Sequence, residues 1–370
     1  MRSRHENLKR WILTVALLVA ATGGCDGIFV TDTDQSDDGS DDSTGTSASV
    51  YYVSPQGDDD SDGRSKATAF ATIGRAVGAL RAGDTIAILP GTYHESLTME
   101  GVGDAQATIT IQGQDGTPVL DGGRTLGIGF SCIQCTNVIF ENLEIRDYID
   151  IGIMVTLSSN VTVRSLKVHH NGFAARNTDW VIEGYGIHAD DSREVTIENN
   201  EVYQNGPNPQ LPDKLLGTGI DTFGLIDSVI RNNNSHDNIG GGILVEDSIN
   251  ILVEGNRITG NDLDASVEQW WDGGIWVDGG QDVTLRNNTI RDNIGPGIEI
   301  SDEDNQQPFG YVLEDNIITG NLYGLYVWNF GTTDLPAESI LQLSNNTISD
   351  NTVQDFWVVD WECPPDDPCE

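Results

Sequence analysis

From Val138 onward the chain alternates apolar and polar residues in short runs with recurring punctuation: apolar-x-apolar, two positions often Asn-Asn, x-Ile-x-x-Asn, then Gly-Ile-x-Val. One copy reads Val195-Thr196-Ile197-Glu198-Asn199-Asn200-Glu201-Val202-Tyr203-Gln204-Asn205, and another reads Val283-Thr284-Leu285-Arg286-Asn287-Asn288-Thr289-Ile290-Arg291-Asp292-Asn293. Further copies begin at Val161, Val229, Ile251, Tyr311 and Leu341. Alternation of period two predicts half-buried strands, and the intervening Asn positions predict tight turns that tolerate left-handed backbone. Self-similarity of this kind outweighs local propensity and marks stacked repeats.

Aligning the copies places Asn200, Asn233, Asn256, Asn288, Asn316 and Asn346 in one column, and Asn171, Asn205, Asn238, Asn261, Asn293, Asn321 and Asn351 in another. Such columns predict internal asparagine ladders, in which stacked amides satisfy one another along the axis. The column spacing runs from about 23 to about 34 residues, so each copy is one coil plus variable loops. Parallel strands joined by crossovers coil right-handed. The expected fold is therefore all-β, a right-handed solenoid of parallel strands.

The Gly-Ile strands then align side chains on an outward face. With Ile pointing in, one outward column reads His188, Asp221, Leu244, Trp276, Glu299, Tyr326, and its neighbour reads Asp190, Phe223, Glu246, Asp278, Ser301, Trp328. Three coils carry extra residues at the same corner, 172 to 185, 206 to 218 and 262 to 273, which predicts loops rising side by side as the wall of a groove. That wall would present Arg176, Trp180, Lys214, Trp270 and Trp271. Flat rings beside carboxylates suit a sugar chain, so Trp180, Trp270, Trp271, Trp276, Tyr326 and Trp328 are the expected sugar-binding residues. Glu246 and Asp278 would stack about 5 Å apart with Asp221 and Asp190 on the diagonal, a set that suits Ca²⁺ and equally a solvated acidic face. His188 beside Asp221 is the candidate general base, or a surface histidine paired with an acid.

Charge and cysteines narrow the setting. With 19 Lys and Arg against 58 Asp and Glu, the net charge of −39 argues against nucleic acid or an anionic membrane surface as partner. Arg2, Arg4, Lys9 and Arg10 precede an apolar run from Trp11 to Ala21 that is too short to span a bilayer, as in a secretory signal over residues 1–24. Thr22-Gly23-Gly24-Cys25 resembles the lipobox of bacterial lipoproteins, with Thr22 where Leu is usual. That resemblance implies lipidation at Cys25 and an exported protein held to a bacterial membrane by its lipid alone; ordinary cleavage leaving a free thiol is the alternative. Residues 25–49 are acidic and lack Lys and Arg, a composition that cannot offset chain entropy and reads as a solvated tether. The remaining pairs, Cys132 with Cys135 and Cys363 with Cys369, are local, and outside the cytoplasm local pairs form disulfides more often than redox or metal sites. One coiled domain is expected over 50–361, with a tail at 362–370.

The opening segment carries Tyr51-Tyr52-Val53-Ser54-Pro55-Gln56-Gly57, then Phe70-Ala71-Thr72-Ile73, Ala82-Gly83-Asp84-Thr85-Ile86 and Pro90-Gly91-Thr92-Tyr93. With the repeat, it resembles the right-handed parallel β-helix, or pectin-lyase-like, superfamily in its pectate-lyase-like branch. The resemblance implies a short N-terminal helix whose apolar stripe, Ile73, Ala76, Val77 and Leu80, caps the core. It implies lyase, hydrolase, epimerase or non-catalytic surface roles alike. Asn177-Thr178-Asp179 with Asp190-Asp191 is similar to polygalacturonase acid clusters, without their later Gly-His-Gly and Arg-Ile-Lys elements. Tyr185-Gly186-Ile187-His188-Ala189-Asp190 is similar in texture to a stretch of alginate C5-epimerases, with Asp and His exchanged. Calcium-dependent lyases of this fold use a Lys or Arg base beside acids, which implies Lys214 here.

The expectation is a monomeric surface or periplasmic protein that binds and processes a polysaccharide around His188, Asp190, Asp221 and Lys214. Ca²⁺-assisted β-elimination on a uronic-acid polymer, with metal ligands Asp190, Asp221, Glu246 and Asp278, is favoured. Hydrolysis by Asp190 and Asp221, and a non-catalytic scaffold, are the alternatives.

Overall fold

The structure, a computed structural model, describes residues 48–173, 181–208, 214–263, 272–302 and 308–359, with the main chain alone at 181–183 and 214–216. The expected signal, the expected tether up to residue 47 and the expected tail, including Cys25, Cys363 and Cys369, lie outside the described residues.

Each coil runs through three strands and two tight turns before rising to the next. Ile151–Thr156 is followed by Ser159–Arg164 and Lys167–His169, and the next coil opens with Tyr185–Asp190. Stacking these coils gives three parallel sheets, which among the described residues hold 11, 10 and 10 strands. The first sheet runs from Val50–Val53 to Leu341–Ser344, the second from Leu97–Glu100 to Gln354–Val359, and the third from Thr92–Tyr93 to Thr347–Ser349. The fold is all-β, a right-handed parallel β-helix. Its interior is one continuous apolar column in which Val161, Val163, Val168, Ile187, Ile220, Ile243, Ile275 and Ile298 are all fully buried.

The Asn-Asn dipeptides divide their work. The first Asn takes the left-handed turn, with φ of 57° at Asn199, 54° at Asn232 and 55° at Asn287, and the second points into the core. In the ladders each side-chain amide donates to the next: Asn200 to Asn233, Asn233 to Asn256 and Asn256 to Asn288 at 3.0–3.1 Å. In the other ladder Asn205 donates to Asn238 at 3.1 Å, Asn238 to Asn261 at 2.9 Å and Asn261 to Asn293 at 3.0 Å. The second column ends where Asn351 donates to the Asp355 carboxylate at 2.9 Å. At the turn after the second sheet, the hydroxyls of Ser158, Ser192 and Ser248 accept from backbone N–H groups of the preceding coil, with Leu225 at that position on the coil between Ser192 and Ser248.

The ladder also explains the glycine of the Gly-Ile motif. A Cβ placed on Gly186 would lie 2.7 Å from Asn205 Nδ2, one on Gly242 would lie 3.0 Å from Asn261 Nδ2, and one on Gly274 would lie 2.7 Å from Asn293 Nδ2. On the outer face of the first sheet, Glu141, Arg164, Glu198, Arg231, Glu254, Arg286 and Glu314 occupy successive register positions with alternating charge. At the N-terminal end a helix of five residues, Ile73–Val77, buries Ile73 and Ala76. Leu80 lies beyond that helix but still packs on the core, so the capping helix is shorter than its apolar stripe. Cys132 and Cys135 form a disulfide, both buried in the core.

Candidate functional site

The second sheet sets the candidate site. Main-chain register pairs His188 with Asp221, Asp221 with Leu244, Leu244 with Trp276, Trp276 with Glu299, and Glu299 with Tyr326. The neighbouring column runs Asp190, Phe223, Glu246, Asp278, Ser301 in the same way. Because one strand of each coil repeats the inward Ile, its outward residues must line up at coil spacing.

At the upper end of the columns, His188 Nδ1 lies 2.6 Å from Asp221 Oδ2, and His188 Nε2 lies 3.9 Å from Asp190 Oδ1. For Nδ1 to bond a carboxylate it must carry a proton, so Asp221 sets the tautomer and aims Nε2 towards Asp190. Tyr185, two residues after the β-strand segment Val181–Glu183, stacks on the imidazole with ring centroids 5.3 Å apart. Tyr185 has no role in the site expected from the sequence, and period two would put it on the opposite face of the strand from His188. His188, Asp190 and Asp221 are 2%, 3% and 5% exposed. The open, solvated floor expected from the sequence is therefore not what forms: these groups face away from the solenoid core yet are covered. Enclosure matters chemically, because a hydrogen bond to a charged group strengthens where water is excluded.

Further down the columns the aromatic expectations are corrected. Trp276 and Trp328 pack with Leu244 into an apolar cluster on the outside of the sheet, 1% and 8% exposed. Trp276 Nε1 donates to Ser301 Oγ at 2.8 Å, which donates to Asp278 Oδ1 at 2.6 Å. Trp328 Nε1 donates to Glu299 Oε1 at 2.7 Å. Indoles tied in this way present no free face to a sugar. Tyr326 stays partly open beside Tyr323 and Trp357, with Tyr323–Trp357 centroids 4.7 Å apart. Burial, and then the Glu299 carboxylate, push the Tyr326 phenol up to about 12.

Two of the expected calcium ligands have protein partners. Asp221 is engaged by His188, Asp278 by Ser301, and Phe223 stands between Asp190 and Glu246 in their column. No group of three or more His, Cys, Asp or Glu side chains converges to hold a metal ion among the described residues. Coil register brings the four acids to one face, with Asp190 and Asp221 both beside His188.

Lys214 opens the strand Lys214–Leu216, which pairs in parallel with Val181–Glu183 in a two-stranded sheet of its own. Two of the three loops thus do run side by side, though the Lys214 side chain lies outside what is described. Trp180, Trp270, Trp271 and Arg176 lie outside the described residues as well.

The profile of the family described as right handed beta helix region matches residues 174–353, and that of the Pel9A-like right handed beta helix region matches residues 51–226. The uncharacterized protein YwoF of Bacillus subtilis (strain 168) is 27% identical over 313 residues, covering 75% of this chain, which spans 63% of that relative's length. Among solved structures, pectate lyase Pel9A superposes with a TM-score of 0.64 at 17% identity over 84% of this chain and 80% of that one. An alginate lyase from Paenibacillus sp. str. FPU-7 gives 0.56 at 15% identity over 77% of this chain and 95% of that one. At such identities the likeness is one of fold. The repeat, the ladders and the two profiles agree: the chain is a right-handed parallel β-helix, similar over 51–226 to the Pel9A-like family and over 174–353 to the family described as right handed beta helix region.

Proposed function

We propose that this is an exported, lipid-anchored polysaccharide-processing protein, monomeric, acting at His188 through proton transfer. One observation carries the reading: an enclosed imidazole is held by Asp221 on Nδ1 while Nε2 points towards Asp190. A general base needs an oriented nitrogen, and a carboxylate on the opposite ring nitrogen both orients it and stabilises the imidazolium that forms. The solved neighbours support the substrate class, since they include a pectate lyase, an alginate lyase and a lacto-N-biosidase of Eubacterium ramulus.

On a uronic-acid polymer the favoured reaction is β-elimination. His188 Nε2 takes the C5 proton, the electron pair forms the C4–C5 double bond, and the C4–oxygen bond breaks with the leaving oxygen taking a proton. Asp221 is committed to His188, which disfavours a hydrolytic pair of Asp190 with Asp221. The acid–base step rests on His188 and its two aspartates, and Ca²⁺ held by the acids of the same face would neutralise the substrate carboxylate.

The test is a screen of pectate, alginate and other uronic-acid polymers by absorbance of the unsaturated product, with Ca²⁺ and with chelator, on wild type and His188→Asn. Product from wild type alone supports the reading. Equal product from both proteins, or silence on every polymer, would leave a non-catalytic scaffold as the better description.

A further inference from the structure

The third sheet carries a second constellation of imidazoles, on a different face from His188. Its register places His169, Tyr203 and His236 on successive coils. Their rings stack nearly parallel, with centroids 4.6 Å apart at 13° for His169–Tyr203 and 5.1 Å at 6° for Tyr203–His236. Beside this stack, the Nδ1 atoms of His169 and His170 face one another at 2.7 Å.

Two features distinguish that pair from a chance surface contact. His169 is buried, and its other nitrogen, Nε2, lies 3.5 Å from Glu144 Oε1. Metal-binding imidazoles are characteristically backed in this way, by a carboxylate on the second nitrogen that fixes tautomer and ring plane. Second, the fold does not require an imidazole at position 170. The same left-handed turn is occupied on other coils by Asp147, Gln204, Asp237, Gly260, Asp292, Gly320 and Asp350.

We infer that His169 Nδ1 and His170 Nδ1 form a two-imidazole site for a divalent late transition ion such as Zn²⁺ or Cu²⁺, with Glu144 as positioning residue. Two nitrogens on one tetrahedral zinc, each at about 2.0–2.1 Å, lie about 3.3 Å apart. The pair must therefore open by roughly half an ångström, which the partly exposed His170 can supply by rotating on its turn. With two protein ligands, water completes the coordination. Local charge permits a cation: Arg146 is held by Asp121 at 3.0 Å with Glu144 and Asp147 close by, and Lys167 is held by Glu201 at 3.3 Å. Imidazole pairs favour copper over zinc and both over calcium or magnesium.

The experiment is calorimetric titration of the full chain with ZnCl₂ and with CuCl₂, alongside melting curves at each ion concentration. The expected result is one saturable site, insensitive to excess Ca²⁺, with a rise in melting temperature by mass action. His170→Gly, carrying the residue this turn has at Gly260 and Gly320, should lose at least tenfold in affinity while folding normally. Glu144→Gln should weaken binding by about ten- to a hundredfold. His169→Phe, which keeps a ring against Tyr203, should abolish the site. Absence of saturable binding by either ion would overturn the assignment. So would wild-type affinity in His170→Gly and His169→Phe, or loss of binding confined to His188→Asn.

Discussion

His188 and Asp221 sit on adjacent coils, joined at 2.6 Å through Nδ1 and Oδ2, and that contact exists because parallel register sets their Cα atoms directly opposite. A carboxylate so placed acts on the imidazole rather than on substrate. Asp221→Asn keeps the shape and removes the charge, so activity should fall by about a hundredfold to ten-thousandfold with little change in melting temperature. Wild-type turnover in Asp221→Asn would show that the pair is structural.

The asparagine ladders should show strong position dependence. Asn261 accepts from both the backbone N–H and the amide of Asn238 and donates to Asn293 and to the Ser235 carbonyl. Asn261→Ala strands the two Asn238 donors on the preceding coil and takes a donor from Asn293 Oδ1 on the next, and should cost about 3 kcal/mol or more in urea unfolding. Asn351→Ala, at the last coil, should cost clearly less. Equal losses would mean that the ladder does not act as a chain.

Gly242→Ala tests why the motif reads Gly-Ile. A Cβ there meets Ile258 Cγ2 at 2.5 Å and the Gly274 carbonyl at 2.6 Å as well as the ladder amide. Overpacking of this kind should destabilise by about 1–3 kcal/mol. Gly101→Ala is the control for glycine replacement without crowding, since nothing lies within 4 Å of its Cβ position, although its φ of 62° adds strain.

Charge alternation on the first sheet makes a salt-dependent prediction. Arg231 lies between Glu198 and Glu254, bonded to Glu198 at 2.7 Å. Arg231 is about half exposed although Glu198 is largely covered, so Arg231→Gln should cost about 1 kcal/mol. Arg231→Glu would face carboxylates on both sides and should lower the melting temperature further in low salt, with partial recovery in high salt. A charge reversal without effect at low ionic strength would remove the ladder as a stabilising device.

His169 predicts an acid limb in stability. Its folded value is lowered by burial and by His170, so between the unfolded value of about 6.5 and the folded one the unfolded chain binds more protons. The contribution is full above about 6.5 and is lost as pH falls through the folded value. Glu144, Arg146 and Tyr203 also face this group, and His169→Phe should flatten the decline in melting temperature below about 6.5 while leaving the other acids to titrate as before. An unchanged acid limb would place the loss elsewhere.

The repeat alone determined the coil, the inward Ile and Asn positions and the composition of both outward columns, because one coil's main-chain hydrogen bonds hold the next in register and the side-chain period is two. Glycine in Gly-Ile was legible as a motif, though its reason, the amide of the ladder Asn beside it, required the packed coil. Tertiary structure decided what the columns do. Whether Trp276 and Trp328 offer a ring face or bury it depends on partners such as Ser301 and Glu299 that rotamers select, and period does not encode rotamers. The stacking of Tyr185 on His188 and the meeting of His169 with His170 arise from side-chain placements outside the repeat pattern. Repetition therefore specifies position along the axis, and irregularity specifies chemistry.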